Sequence, residues 1–290
     1  MIKIFLALSF IFIYANANIK IATGSKGGTY YSMAKDLQKV LKSEGVSLEV
    51  LETSGSKNNI SAVKGQTVYK NVDLGIAQHD LFLQMSRRMK KDLGSYVKVV
   101  MNLHNEEIHA IVNKNSNITL PNKRPLKVAC GLKNSGSCTT SRILSRAYKT
   151  RFQEYNIPFK KALGLLKKNK IDMIINVVGK PASYLRNATG IKLIPLNLTR
   201  VLKPIYDKGS FSPKDYEWQK KSINTLSVKS VIFSQYNPKK PNDRAITKFL
   251  KPVIKNFSKL KSTGHPKWKK VNIKKTLRFS IHPAAKKLIL

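Results

Sequence analysis

Residues 19–31 have the sequence IKIATGSKGGTYY, which is a short strand pattern followed by a glycine-rich turn and the start of a helix. Ile19 and Ile21 alternate with polar neighbours, as the residues of a half-buried strand do. The backbone freedom that a tight strand-to-helix turn needs comes from three glycines, Gly24, Gly27 and Gly28. The stretch therefore predicts a helix start whose unpaired N–H groups and dipole suit an anion.

The glycine spacing in this stretch does not match a nucleotide site. The chain contains neither G-x-G-x-x-G here nor G-x-x-x-x-G-K-[ST] anywhere. Two interpretations stay open: the glycines only turn the chain, or the turn binds a small anion beside Thr29, Tyr30 and Tyr31.

The same order of strand, polar turn and helix recurs along the chain. It is found at residues 46–57, 73–80, 126–144 and, with the helix before the strand, 162–182. Such repetition is typical of α/β proteins, in which ligands sit at the carboxyl ends of the strands. The sequence therefore predicts an α/β fold with polar loops gathered around one site.

The first seventeen residues have the features of an export signal. Lys3 precedes an uncharged apolar run from Ile4 to Tyr14, and Ala15-Asn16-Ala17 has the form of a signal-peptidase site. The run is too short to span a bilayer. We expect cleavage after Ala17 and a mature, periplasmic chain that begins at Asn18.

The charge is strongly positive, with 54 Lys and Arg against 15 Asp and Glu. The basic residues are 44 Lys and 10 Arg, spread along every predicted element without a known nucleic-acid motif. We therefore expect no nucleic-acid partner. A positive field around the whole molecule would attract anionic solutes and anionic membranes.

Cys130 and Cys138 are the only cysteines and stand eight positions apart. In an exported protein this spacing permits a disulfide, although the sequence leaves free thiols equally open. Two cysteines with no nearby histidine supply half a zinc site, so no metal site is expected.

The sequence HNEE at residues 104–107 separates two predicted strands, 97–103 and 108–112. The spacing of His104 and His109 matches neither H-E-x-x-H nor H-x-x-E-H, so structural or hinge residues are favoured, with one glutamate bordering a cleft. No G-x-S-x-G motif is present either. We therefore expect no enzyme activity, no catalytic residue and no cofactor.

Seven motifs in order resemble one known family, the TAXI-type solute receptors of TRAP transporters. They are ATG-x-x-GGTYY at 22–31, TSGS at 53–56, DLGI-x-Q-x-D at 73–80, LHNE at 103–106, NSGS at 134–137, KID at 170–172 with GKP at 179–181, and HPAA at 282–285. The departures are His79, Cys138 and Lys180, which bear on the ligand more than on the family.

The resemblance implies a type II periplasmic-binding-protein fold, in which two α/β lobes close on a ligand. The implied domains are a signal peptide at 1–17, lobe 1 at 18–112 plus 223–290, and lobe 2 at 113–222. The implied ligand is a small organic acid, glutamate-like or a dicarboxylate, delivered to sodium-driven TRAP membrane subunits.

The resemblance also implies which residues line the cleft. From lobe 1 these are Gly27, Gly28, Thr29, Tyr30, Tyr31, Gly55, Ser56, Gln78 and Asp80. From lobe 2 they are Ser135, Gly136, Ser137, Thr139 and Gly179.

Two other functions remain alternatives. The first is an ABC-type binding protein for a thiamine-precursor-like or sulfonate ligand. The second is a cationic surface protein that binds polyanions or anionic lipid through its lysines.

Overall fold

The computed structural model describes residues 18–89, 96–274 and 280–290. The leader predicted for residues 1–17 lies outside these ranges. The strands are β1 Ile19–Ala22, β2 Leu48–Leu51, β3 Leu74–Gln78, β4 Val97–Asn113, β5 Leu126–Ala129, β6 Phe152–Tyr155, β7 Met173–Val178, β8 Ile191–Leu193, β9 Asp207–Phe211 and β10 Ile223–Gln235. The helices are α1 Thr29–Ser43, α2 Ser56–Val63, α3 His79–Met89, α4 Gly136–Ala147, α5 Phe159–Lys167, α6 Asp243–Lys255, α7 Phe257–Thr263 and α8 Pro283–Ile289, with 3-10 turns at Ser183–Leu185 and Pro266–Lys270.

The ten strands of the described residues belong to one mixed sheet, in the order β2-β1-β3-β10-β4-β7-β5-β6. β8 pairs with β4, and β9 pairs with β10. The outer strands β2, β1 and β3 are parallel to one another, as are β7, β5 and β6. The two parallel groups are joined through the antiparallel strands β4 and β10, and this arrangement confirms the predicted α/β class.

β4 and β10 are long strands that run from one group of parallel strands to the other. The two strands predicted at 97–103 and 108–112 are one strand of 17 residues, and residues 104–107 are part of it, not a loop. The prediction of a break was wrong because these polar residues face partners on both sides of the sheet. β10 pairs with β4 along most of its length, with register shifts near Lys229 and Phe233.

The buried apolar residues form two pairs of cores, and we name the two halves of the molecule by them. The first lobe contains β1, β2, β3, α1, α2, α3 and the C-terminal helices, with cores on both faces of its part of the sheet. The second lobe contains β5, β6, β7, α4 and α5, again with two cores. Val100 and Met101 of β4 pack in the first lobe, whereas Ile108 and Ala110 pack in the second. β4 therefore contributes to both lobes, and the exact lobe boundaries stay a prediction.

The basic C-terminal segment packs its apolar side inward. Ile246, Phe249, Leu250 and Val253 of α6 are fully buried against the first lobe. Within the described ranges, every helix is too short or too polar to cross a bilayer.

Candidate functional site

A cleft of about 600 Å³ separates the two lobes at the carboxyl ends of their parallel strands. The strand-to-helix loops of both lobes form its walls, and β4 contributes Glu106. Its volume is in the range of ordinary small-molecule sites.

The N-terminus of α1 forms one wall of this cleft. Gly28 precedes the helix in an extended conformation and makes no side-chain cap. The first turn contains no acidic residue. The N–H groups at this helix start therefore lie in the cleft wall without a carboxylate from the helix's own first turn to neutralise them.

The N-terminus of α2 lies beside that of α1. Gly55 precedes it with φ of +107°, a backbone conformation that favours glycine, and again provides no side-chain cap. The Thr53 hydroxyl accepts the N–H of Gly55 at 3.0 Å and in turn contacts Asn59. Asn59 also donates to the carbonyl of Ile76 at 2.6 Å, so the loop is fixed to the sheet.

The N-terminus of α4 faces the cleft from the second lobe. Its cap is Ser135, whose hydroxyl accepts the N–H of Cys138 at 3.3 Å. The Ser137 hydroxyl accepts the N–H of Val177 at 2.9 Å and donates to the side chain of Asn176 at 3.2 Å. A disulfide between Cys130 and Cys138 closes the loop before this helix, which fixes the point left open by the sequence.

The two lobes touch across the cleft, so the structure is a closed form. The N–H of Lys57 donates to the carbonyl of Asn134 at 3.3 Å. The side chain of Gln78 lies against Gly136, where a Cβ would come within 2.2 Å of its Oε1 atom. That Oε1 is buried and, among the described residues, has no hydrogen-bond partner.

Glu106 is a buried carboxyl group that borders the cleft. The hydroxyl of Tyr30 donates to its Oε2 atom at 2.6 Å. Burial raises the pKa of Glu106 to about 8. Burial, and then the charge of Glu106, raise the pKa of Tyr30 well above 10. The tyrosine therefore remains a hydrogen-bond donor at neutral pH.

Glu107, the next residue of β4, bonds on the other side of the strand. Its Oε2 accepts the backbone N–H of Lys180 at 2.8 Å and lies 3.4 Å from the ammonium of Lys267. Lys267 packs on Gly179, where a Cβ would come within 2.4 Å of its Cε atom. The ammonium of Lys180 bonds to Asp215 at 2.9 Å, away from the cleft.

An aromatic pair lines the second-lobe side of the cleft. The rings of Phe159 and Tyr184 stack with their centroids 6.0 Å apart. The side chain of Asn176 donates to the Tyr184 hydroxyl at 2.6 Å. The cleft therefore combines polar helix starts with an aromatic surface suited to a carbon chain.

His104 and His109 lie in the sheet, not in the cleft lining. Burial lowers the pKa of His104 well below 6.5 and that of His109 to about 3. His109 Nε2 contacts the hydroxyl of Tyr216 at 2.7 Å. Both histidines are therefore neutral, buried components of the crossing strand.

A family model described as NMT1-like matches residues 21–288. The chain belongs to the NMT1-like family. Among curated protein sequences, none matches this NMT1-like chain significantly.

Several solved structures share the fold of this NMT1-like chain. One is a periplasmic transporter, with 13% sequence identity, a TM-score of 0.53 and 84% of each chain covered. A second is the substrate-binding protein of an amino acid ABC transporter, with 12% identity and a TM-score of 0.52 over 87% of this chain and 96% of that one. A third is the zinc-bound ligand-binding component of an ABC-type import system from Staphylococcus aureus, with 12% identity and a TM-score of 0.51 over 93% and 89% of the chains. These likenesses confirm the predicted periplasmic-binding-protein fold, and at such identities they speak to the fold alone.

Most of the residues predicted for the cleft of this NMT1-like chain lie in its walls. They are Gly27, Gly28, Thr29, Tyr30, Gly55, Ser56, Gln78, Ser135, Gly136, Ser137 and Gly179. Tyr31, Asp80 and Thr139 are not part of this lining. Whether any of them binds a ligand stays a prediction.

Asp80 lies in a different contact between the lobes. Its Oδ2 accepts the hydroxyls of Thr140 at 2.6 Å and Tyr206 at 2.8 Å, and all three side chains are buried. Burial raises the pKa of Asp80. The residue joins α3 of the first lobe to the second lobe outside the cleft.

The sequence did not point to several residues that line the cleft. They include Asn176, Phe159, Tyr184, Arg186 and His265. Phe159 and Tyr184 follow strands of the second lobe, where aromatic residues have no motif that separates a cleft role from a core role.

Proposed function

We propose that this chain is a periplasmic solute-binding protein that captures a small organic acid, glutamate-like or a dicarboxylate. The observation that carries the proposal is the convergence of three helix N-termini, those of α1, α2 and α4, on one closed cleft. None of the three has an acidic residue in its first turn. Three positive helix ends around one cavity favour an anion.

The distribution of these helix starts supports a ligand with more than one polar end. α1 and α2 approach from the first lobe, and α4 approaches from the second. One carboxylate of the ligand would accept hydrogen bonds from backbone N–H groups of the first lobe, and the other from those of the second lobe. The rings of Phe159 and Tyr184 would cover the carbon chain between them. Such a ligand stabilises the closed form by bridging the lobes.

The proposed membrane partner is a sodium-driven TRAP transporter. This choice rests on the seven sequence motifs that resemble TAXI-type receptors. An ABC-type partner is the alternative, and ABC import components are among the proteins that share the fold. Uptake reconstituted with the membrane subunits distinguishes them, because a TRAP system requires a sodium gradient and an ABC system requires ATP.

The charge of the chain supports a second candidate function. A net charge of +39 would bind polyanions or anionic lipid by counterion release, and such binding weakens steeply as salt rises. Binding of a small acid in the cleft depends much less on salt, because the contacts are few and enclosed. Titration at two salt concentrations therefore separates the two functions.

The experiment that tests the proposal is thermal unfolding of residues 18–290 against amino acids, dicarboxylates, keto acids and sulfonates. A ligand of the folded state raises the midpoint by mass action, with about 2.7 kcal/mol of stabilisation at a hundredfold excess over the dissociation constant. We expect a shift with one or a few organic acids and none with the inorganic anions used as controls. The shift should weaken in Ser137→Ala and persist in Glu217→Gln, because Glu217 is exposed on the surface. A shift with heparin or DNA alone would contradict the proposal.

A further inference from the structure

We propose that Glu106 accepts the ammonium group of the ligand, so that the organic acid captured in the cleft is an amino acid and not an amine-free acid. The inference rests on the proposed function and names the ligand class within it. The helix N-termini alone would bind both classes of acid, whereas Glu106 would select the acids that carry an ammonium group.

Glu106 is placed to accept a hydrogen bond from a group bound in the cleft. Its side chain is 4% exposed and belongs to the cleft wall. Tyr30 holds one carboxyl oxygen, Oε2, at 2.6 Å. Within the part of the chain that the structure describes, the other oxygen accepts no hydrogen bond. An ammonium group is a donor that carries the complementary charge.

The buried acidic groups near Glu106 outnumber the buried basic groups. Glu106, Glu107 and Lys267 are all buried, with exposures of 4%, 7% and 6%. Lys267 forms its ion pair with Glu107 at 3.4 Å. Among the described residues, Lys267 is the cation that lowers the pKa of Glu106, yet burial outweighs it. Lys267 is thus paired with Glu107, and a positive charge from the ligand would pair with Glu106 once that carboxyl group is ionised.

The other groups packed around Glu106 do not supply that charge. From α2, the neutral hydroxyl of Ser56 lies near Tyr30, and from α3, Asp80 adds a negative charge. His104 of β4 is held neutral by burial, and burial also lowers the pKa of His265. The surroundings of Glu106 thus favour a proton in the empty cleft and a cation in the occupied one.

Tyr30 connects this carboxyl group to the anion-binding part of the cleft. Its backbone belongs to the first turn of α1, and its hydroxyl bonds Glu106. The site for a positive group and the site for a carboxylate are therefore one tyrosine side chain apart. A zwitterionic amino acid has both groups, whereas a dicarboxylate or keto acid has only the second.

The first test compares acids that differ only at the amine. We would titrate glutamate, 2-hydroxyglutarate, 2-oxoglutarate and glutarate, and the corresponding four-carbon set, into the wild type, Glu106→Gln and Glu217→Gln. We expect the wild type and Glu217→Gln to prefer the amino acid by about tenfold or more. Glu106→Gln should lose that preference and retain binding of the amine-free acid, since the amide cannot balance an ammonium.

A wild-type preference for an amine-free acid would overturn the inference and leave the proposed function intact. An unchanged preference in Glu106→Gln would do the same. If no acid of either kind binds, the proposed function fails, and the inference fails with it.

The second test needs no variant and therefore does not depend on folding of Glu106→Gln. With a pKa of about 8, the carboxyl group carries about 0.9 of a proton at pH 7 and must release it to bind an ammonium. Calorimetric titration of the wild type with its best ligand in phosphate and in Tris should give different apparent enthalpies at pH 7. The difference should largely vanish at pH 9. Equal enthalpies in the two buffers at pH 7 would overturn the inference.

Discussion

Gln78 and Gly136 meet across the cleft so closely that a Cβ on Gly136 would come within 2.2 Å of Gln78 Oε1. Gln78 ends β3 of the first lobe, and Gly136 begins α4 of the second. Closure of the lobes therefore depends on the absence of a side chain at position 136.

We predict that Gly136→Ala weakens ligand binding by about tenfold or more, because the methyl group and the Gln78 side chain cannot occupy the same space in the closed form. Stability without ligand should change little, since the unliganded lobes can stay apart and leave room for the methyl group. Calorimetric titration and thermal unfolding measure the two effects.

Gly164→Ala is the matched control for that substitution. Gly164 lies inside α5, and a Cβ there meets nothing within 4 Å. The change should leave affinity unaltered and stabilise the helix by about 0.5–1 kcal/mol. Equal affinities of the two variants would show that the Gln78 contact does not limit closure.

The bond between Tyr206 and Asp80 predicts a second effect on closure. Tyr206→Phe removes a hydroxyl that donates to a buried carboxyl oxygen shared between the lobes. We expect unfolding to become easier by about 1–3 kcal/mol and ligand affinity to fall. Urea denaturation and ligand titration measure both quantities.

Tyr148→Phe separates the two effects of the Tyr206 substitution. The hydroxyl of Tyr148 donates to the carbonyl of Asn197 at 2.7 Å, and both residues belong to the second lobe. The variant should lose stability but keep its affinity. A similar loss of affinity in both variants would argue against a role for Asp80 in closure.

Because the pKa of Glu106 is raised, we expect the unliganded protein to become less stable as the pH rises. Its pKa is raised from 4.5 to about 8 on folding, so between these values the folded state binds more protons than the unfolded state. Raising the pH across this window should therefore cost up to about 1.4 kcal/mol for each pH unit from this group. Below pH 4.5 its contribution should be constant.

Glu106→Gln should remove this part of the pH dependence. Urea midpoints at pH 6 and pH 9 measure this dependence. The stability of the variant relative to the wild type should increase as the pH rises. A constant difference between the two proteins at both values would contradict the raised pKa.

The disulfide predicts a link between redox state and the cleft wall. Replacing Cys130 and Cys138 together by Ser should cost about 2–3 kcal/mol of stability, the value expected for a loop of this size. Affinity should fall as well, because the loop carries Ser135 to the cleft. A reductant should lower the stability and affinity of the wild type to those of the double variant and leave both quantities unchanged in that variant. A response of the variant to the reductant would point to another cause.

Local sequence predicted the parts of the site that are local in the chain. The turns around Gly27, Gly55 and Gly136 each combine a strand end, small residues and a helix start, so the positions next to them could be inferred without long-range information. The long-range contacts could not. Tyr30 and Glu106 are 76 positions apart, and their contact depends on β4 being one continuous strand.

Asp80 was predicted to line the cleft from its position in the same motif as Gln78, but it lies outside the cleft lining. It follows Gln78 by two residues, yet Gln78 ends a strand and Asp80 lies in the first turn of α3. The turn of the helix carries its carboxyl group to Thr140 and Tyr206, outside the cleft. Sequence spacing alone does not give that direction.

If the cleft between the lobes is where this protein binds its ligand, a substitution that fills the cleft should abolish binding. Gly27 lines the cleft, and a Cβ there meets no atom within 4 Å. The same is true at Gly164, which is not part of the cleft lining. We would titrate the acid identified by thermal unfolding into Gly27→Trp and Gly164→Trp at low and physiological salt. We expect binding to be lost in Gly27→Trp and retained in Gly164→Trp at both salt concentrations. Equal binding by the two variants, with a steep loss as salt rises, would contradict it and make the surface charge the binding site.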